Sequence, residues 1–174
     1  TGIVGCASID DYIENRIKKH EFTRADKEID RIKHVDICSA HTGPIFLAYK
    51  DSATLDEIIK EETEKAPIYD FVSEDGVRHT VWRASDKSVD DKISEAFSAL
   101  DALYIADGHH RAASAVKVGI KRREENPSYT GNEEFNFFLS VIFPANTLKI
   151  MDYNRLLKDL NGMTPDELLS KLEK

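Results

Sequence analysis

Apolar residues recur at helical spacing between residues 24 and 39, where Ala25, Ile29 and Ile32 fall on one face, and this period predicts a helix. Thr23 opens it, with Asp26 three residues on as a variant of the capping box. Further helices are predicted over 9–16, capped by Ser8, over 54–65, capped by Thr54, and over 88–100 and 109–125. A last one starts at Thr164, with Pro165 at its first helical position. Short apolar or alternating runs predict strands over 2–7, 43–50, 102–106, 135–143 and 147–154. Asp75-Gly76, between two β-rich runs of 68–85, is a hairpin signal. Residues 17–22 fit neither period, and 126–134 read as a loop.

Helices and strands alternate, but the hairpin is antiparallel. The expectation is an α+β (mixed α/β) fold, one compact domain over 1–174 around a mixed sheet. No repeat or linker interrupts it. Thr1 is not a methionine and Lys174 stops inside a helical pattern, so the chain is expected to be a piece of a longer protein.

The 174 residues are 41% apolar and 32% charged, which is globular composition with enough length for a core. No apolar run approaches the roughly 20 residues that span a bilayer, so no membrane role is expected. Cys6 and Cys38 lack metal-ligand spacing and read as reduced core residues of a cytoplasmic protein. The net charge of −8 repels phosphate backbones at long range and argues against nucleic acid as a partner. A local pocket for a small anion remains compatible with it.

The candidate chemistry concentrates at Asp107–Arg111, between the strand over 102–106 and the helix over 109–125. A strand–turn–helix connection aims the helix N-terminus at the carboxyl end of the sheet. The free amides of His109, His110 and Arg111, with the helix dipole, then form an anion site. Gly108 admits close approach of a ligand, and Arg111 can hold a phosphate through two parallel hydrogen bonds. Near a positive dipole end the two histidines lean toward the neutral form, as donors or a base. Asp107 repels a phosphate unless it caps the helix, binds a Mg²⁺ shared with the phosphates, or acts as a base. A capped helix with a solvated first turn is the plain alternative.

The stretch "DGHHRAASA" resembles the phosphate-binding box of the ParB/sulfiredoxin superfamily. Its Asp-Gly-His-His-Arg is similar to that of ADP-dependent serine kinases and of an uncharacterised bacterial and archaeal family often labelled ParB-like. "TGIVGCASIDDYI", "IKKHEFTRADKEIDRIKHVD" and "TGPIFLAYKD" resemble that uncharacterised family too, over most of residues 1–150. The resemblance implies a ParB/sulfiredoxin-like fold binding ATP, ADP or another nucleotide. His109 replaces the catalytic cysteine of sulfiredoxins, so sulfur chemistry is not implied, and Ala112 replaces the family's usual tyrosine.

A second group, His20, Glu21, Lys27, Asp30, Arg31 and His34, lies in the 20–34 block. On the helix, Lys27, Asp30, Arg31 and His34 share one face, and a solvated face explains them without any site. His20-Glu21 lacks the second histidine of a zincin motif and is not read as a zinc site. The resemblance implies instead a wall facing the phosphate turn. Arg31, Lys27 and His20 would then hold the anion, and Glu21 or Asp30 would be the acid/base or metal ligand, beside Asp107 and His109. His79 reads as structural, and Lys117, Lys121, Arg122 and Arg123 as a solvated helix end.

The resulting expectation is a nucleotide-phosphate-binding domain, a Mg²⁺-dependent phosphotransferase or phosphohydrolase acting on a small metabolite. A non-catalytic nucleotide-sensing module and an anion-binding scaffold are the rivals. The pattern leaves the oligomeric state open.

Overall fold

The computed structural model describes residues 1–21, 23, 25–84 and 86–173, and for 25–27 the backbone alone. Among these residues, seven strands and six α-helices follow in mixed order. They are β1 (Ile3–Ser8), α1 (Ile9–Ile13), β2 (Ile17–Lys18), α2 (Ala25–Cys38), β3 (Ile45–Tyr49), α3 (Ala53–Thr63), β4 (Tyr69–Val72) and β5 (Arg78–Val81). After them come α4 (Lys87–Ser98), β6 (Leu103–Asp107), α5 (His109–Glu125), β7 (Phe137–Pro144) and α6 (Pro165–Leu172). The expected mixed α/β architecture is present.

Five strands form one sheet in the order β1-β7-β3-β6-β2, and β4-β5 form a separate hairpin. β1 is antiparallel to β7, β7 parallel to β3, β3 antiparallel to β6, and β6 parallel to β2. β1, β6 and β2 therefore run the same way and end at the same edge of the domain. β6 carries one extra residue near that edge: Phe46 pairs with Asp107 but Leu47 with Ile105, which leaves Ala106 as a bulge before the turn.

Helices α1, α3, α4 and α5 contribute to a core on one face of the sheet. Phe138, Ser140 and Ile142 alternate inward on β7, as do Ile45, Leu47 and Tyr49 on β3, and they share a core with Ala112, Ala115 and Val116 of α5. The Tyr49 ring meets Phe97 of α4 edge to face at 5.5 Å, closing the same layer. The opposite face carries Val4, Cys6 and Tyr104, all exposed, with Phe46, Leu139, Val141 and Phe143 half-buried among them. Cys6 and Cys38 are both exposed, not core residues. Among the described residues, no helix is long and apolar enough to cross a membrane.

Several local expectations need correction. Ser52, not Thr54, caps α3, accepting from the Leu55 amide at 3.4 Å. α1 ends at Ile13, because Asn15 adopts a positive φ and the chain must turn into β2. Ile29 is exposed, and α2 presents Glu28 and, less deeply, Ile32, Val35 and Asp36 inward. Residues 147–154 form no strand: β7 is already flanked by β1 and β3, and Ile150, Met151 and Tyr153 project outward. The loop over 126–134 is ordered by Glu133, whose carboxylate accepts from the amides of Thr130 and Gly131 at 2.7 and 2.9 Å. Those bonds hold its pKa down at about 2. α6 has the full capping box, Thr164 with Glu167.

α5 approaches its neighbours closely at Gly119, where a Cβ would stand 2.5 Å from the Phe135 carbonyl oxygen and 2.7 Å from Ile9 Cδ1. Gly119→Ala should therefore destabilise, although alanine is the better helix former by about 0.8–1 kcal/mol. Overpacking against a backbone carbonyl costs about 1–3 kcal/mol and outweighs that gain. A thermal melt should show a Tm several degrees lower; a higher Tm would refute the close contact.

Candidate functional site

The carboxyl ends of β2 and β6 lie side by side because the two strands are parallel and in register, Ile17 with Leu103 and Lys18 with Tyr104. The chain leaving β2 carries His20 and Glu21, and the chain leaving β6 carries Asp107 to Arg111. β3 runs against β6, so the 39–44 segment before it reaches the same edge. The unclassifiable stretch 17–22 is thus strand at Ile17–Lys18, with His20 and Glu21 at the site, while Phe22 lies outside the described residues.

Gly108 makes the turn from β6 into α5 at φ 96°, in the left-handed region that a side chain strains. It is the N-cap of α5 and offers no side-chain cap, and the first helical bond runs from the Ala112 amide to the Gly108 carbonyl at 2.9 Å. The preceding amides of the turn have no helical partner, and a 17-residue helix adds its dipole. Asp107 is not the cap. Its exposed carboxylate accepts from Arg111 Nη2 at 2.6 Å. The guanidinium lies against two glycine backbones, since a Cβ would stand 3.0 Å from Nη2 at Gly108 and 3.2 Å from Nη1 at Gly43.

His109 is buried, 5% exposed, with Nδ1 at 3.6 Å from Glu21 Oε2. The His20 ring stands edge to face against it at 4.4 Å. Burial lowers the His109 pKa below the ordinary value and the neighbouring His20 lowers it further, while Glu21 and Asp107 pull it up. The net direction is downward, so the ring is neutral at pH 7, as its place at the helix start suggested.

The edge therefore unites His20, Glu21, Asp107, Gly108, His109 and Arg111. His110 follows on α5, its carbonyl accepting from Ser114 Oγ at 2.7 Å. Asp30, Arg31 and His34 are exposed on α2, whose inward face belongs to Glu28. The Lys27 and Asp26 side chains lie outside the described residues. Gly43 was missed, and so was Glu28, which is buried and joins α2 to α5. Its spacing four residues before Ile32 carried that signal.

Glu28 Oε1 pairs with Lys117 Nζ at 2.6 Å, Thr23 Oγ1 donates to Oε2 at 3.1 Å, and Ser114 Oγ donates to the Glu28 carbonyl at 3.4 Å. Farther along, Lys121 and Arg122 bind Asp36, and Arg123 grips Asp10 of α1 through two bonds of 2.6 and 2.8 Å. The basic end of α5 is thus a clamp on α2 and α1, not merely a solvated terminus. His79, exposed, stacks on Phe71 at 5.1 Å and serves the hairpin alone.

A cavity of about 700 Å³ lies elsewhere, between the inner side of β1, α4 and Trp82. Its lining mixes apolar residues, including Ile3, Ile93, Phe97 and Ile142, with Asp11, Arg16, Arg83 and Asp90. Arg16 is committed there to Asp11 and the Ser98 carbonyl, whereas the Gly108 turn adds the free amides of a helix start.

The Lys117 contact, with the Thr23 hydroxyl, holds the Glu28 carboxyl below the ordinary glutamate value against the opposing effect of burial. The stability from this pair is present above that ordinary value and lost as the pH falls through the depressed one. Lys117→Met should remove it, costing about 1 kcal/mol or more and roughly 3 °C of Tm at pH 7. The variant should approach the wild type in acid. A constant difference from pH 7 to pH 3 would refute the ionic role.

No curated protein and no solved structure matches the chain. The model of the family described as protein of unknown function (DUF1015) matches residues 1–174, its whole length, and the chain belongs to that family.

Proposed function

We propose that the Gly108 turn binds the phosphates of a nucleotide or similar phosphorylated small molecule, and that Mg²⁺-dependent phosphoryl transfer or hydrolysis takes place there. The observation that carries this reading is the Arg111 fork lying against Gly108 and Gly43 beside the uncapped N-terminus of α5. Free amides, a helix dipole and a planar cation meet with little side-chain bulk between them, which suits a phosphate. The resemblance of "DGHHRAASA" to a nucleotide-phosphate box adds to it.

Asp107 already holds Arg111, so an incoming phosphate competes with a carboxylate for the same fork. Asp107 would hold a Mg²⁺ ion, which would resolve the competition by neutralising the carboxylate and the phosphate charge. Glu21 is exposed at the rim and can accept the proton of an acceptor hydroxyl while the acceptor oxygen bonds to phosphorus. The leaving nucleotide oxygen departs with its electron pair.

Calorimetry with ADP and ATP on folded protein tests the cradle. Arg111→Ala removes a charge-assisted bidentate contact of about 1.5–3 kcal/mol, so affinity should fall roughly tenfold or more, and less at high salt. Gly108→Val strains the turn and presses on the Arg111 guanidinium, and should abolish binding at any salt concentration. Arg31→Ala, on the exposed side of α2, should bind as the wild type does. A folded Gly108→Val variant with unchanged affinity for both nucleotides would sink the reading.

The metal component is tested separately by thermal shift. Nucleotide should raise the Tm more with Mg²⁺ than with EDTA, and Asp107→Asn should erase that difference. Equal shifts in the wild type would remove Mg²⁺ from the site.

A further inference from the structure

His20 and Glu21 approach His109 across the parallel β2–β6 pair, so that one donor atom from each lies within 4.8 Å of the other two. We infer that these three side chains form a site for one borderline divalent cation of the Zn²⁺ class, bound by two imidazole nitrogens and one carboxylate oxygen. Sequence spacing gave no reason to expect it, because the third donor comes from the start of α5, 88 residues beyond Glu21.

The donor set selects the ion. Two imidazoles with one carboxylate suit Zn²⁺ and its transition-metal neighbours, whereas Mg²⁺ prefers oxygen throughout. Donors around a tetrahedral Zn²⁺ at about 2.0–2.1 Å stand roughly 3.4 Å apart, and Glu21 Oε2 already lies 3.6 Å from His109 Nδ1. The remaining gap closes through His20 and Glu21, which are exposed and free of helix or strand constraints. His109 supplies the rigid wall.

The same ring supplies the second observation. It is 5% exposed, and its Nε2 has no hydrogen-bond partner among the described residues. A buried polar atom left unpaired costs free energy. Glu21 Oε2 stands 3.6 Å from the ring's other nitrogen, Nδ1, and so leaves Nε2 without a partner. A neutral imidazole ligates a metal through either nitrogen as it stands.

Three protein donors, one buried and two at the rim, leave a coordination position facing solvent. A water or a ligand oxygen can take it, as in catalytic rather than structural zinc sites. His109 directly follows Gly108 in the chain, so the ion would stand near the turn. Metal binding itself needs no nucleotide; with the ion bound, Glu21 is a ligand and no longer the proton acceptor of the preceding reading.

The test uses the full chain, freed of metal with a chelator, and Zn²⁺ alone as the probe. Calorimetry should show one saturable site per chain, and Co²⁺ in its place should show the visible absorption of a low-coordinate ion. His20→Ala and Glu21→Gln, both at exposed positions, should each weaken Zn²⁺ binding roughly tenfold or more. Asp107→Asn should leave it unchanged. Absence of a saturable site, or Zn²⁺ affinity indifferent to both rim variants, would overturn the inference. So would loss of Zn²⁺ on Asp107→Asn alone, which would put the ion on the phosphate turn. Nucleotide binding measured on the same variants without Zn²⁺ keeps the two readings apart. Its loss with Zn²⁺ binding intact concerns the cradle, and the reverse concerns this site.

Discussion

The close approach of α5 to the sheet is the constraint on which the rest depends. Ala112, Ala115, Val116 and Gly119 recur at helical spacing along the side of α5 that meets the core. At Gly119 even a methyl group would collide with the Phe135 carbonyl. A slim helix lets its axis lie low over β7 and β3, and that height places its first turn level with the ends of β6 and β2. The left-handed Gly108 and the bulge at Ala106 adjust the final direction. Larger side chains along that stripe would lift the helix and carry His109 and Arg111 away from the edge.

The second side of α5 is held by polar contacts. Glu28, Asp36 and Asp10 take Lys117, Lys121, Arg122 and Arg123, with Ser114 bonded between the helices. Exposed ion pairs contribute little singly, but the Glu28 carboxylate is buried and its partner is required. α2 thereby packs on α5 with little apolar surface of its own, which is why its exposed side carries Ile29 and Ile37 among charges.

Most of the fold was legible because period and caps are local. α5, the hairpin at Asp75-Gly76 and the Thr164 box follow from residues within one turn of each other. The face of α2 was misjudged because apolar residues were assumed to point inward, whereas a glutamate with a lysine partner on another helix took that place. Residues 147–154 have strand composition, yet a strand needs a free edge beside it, and the sheet order left none next to β7. The turn from β6 into α5 could be read as a unit because Asp107 to Arg111 are contiguous. The gathering of His20, Glu21 and Gly43 around it could not, since it depends on β2 being parallel and β3 antiparallel to β6.

The charge balance bears on how the proposed anion site would fit an acidic chain. With a net charge of −8 the distant surface is unfavourable to a phosphate, but screening limits that influence to about 8–10 Å at physiological salt. Within that range the cationic fork of Arg111, the free amides and the dipole of α5 act together, while the other basic residues of α5 are committed to Glu28, Asp36 and Asp10. Asp107 leaves the fork almost neutral in the free protein. A neutralised fork draws weakly on mobile anions, and full attraction returns only when a ligand or a cation engages the carboxylate. On the proposed reading, Asp107 would be a selectivity element, disfavouring simple anions and favouring those that arrive with a divalent cation.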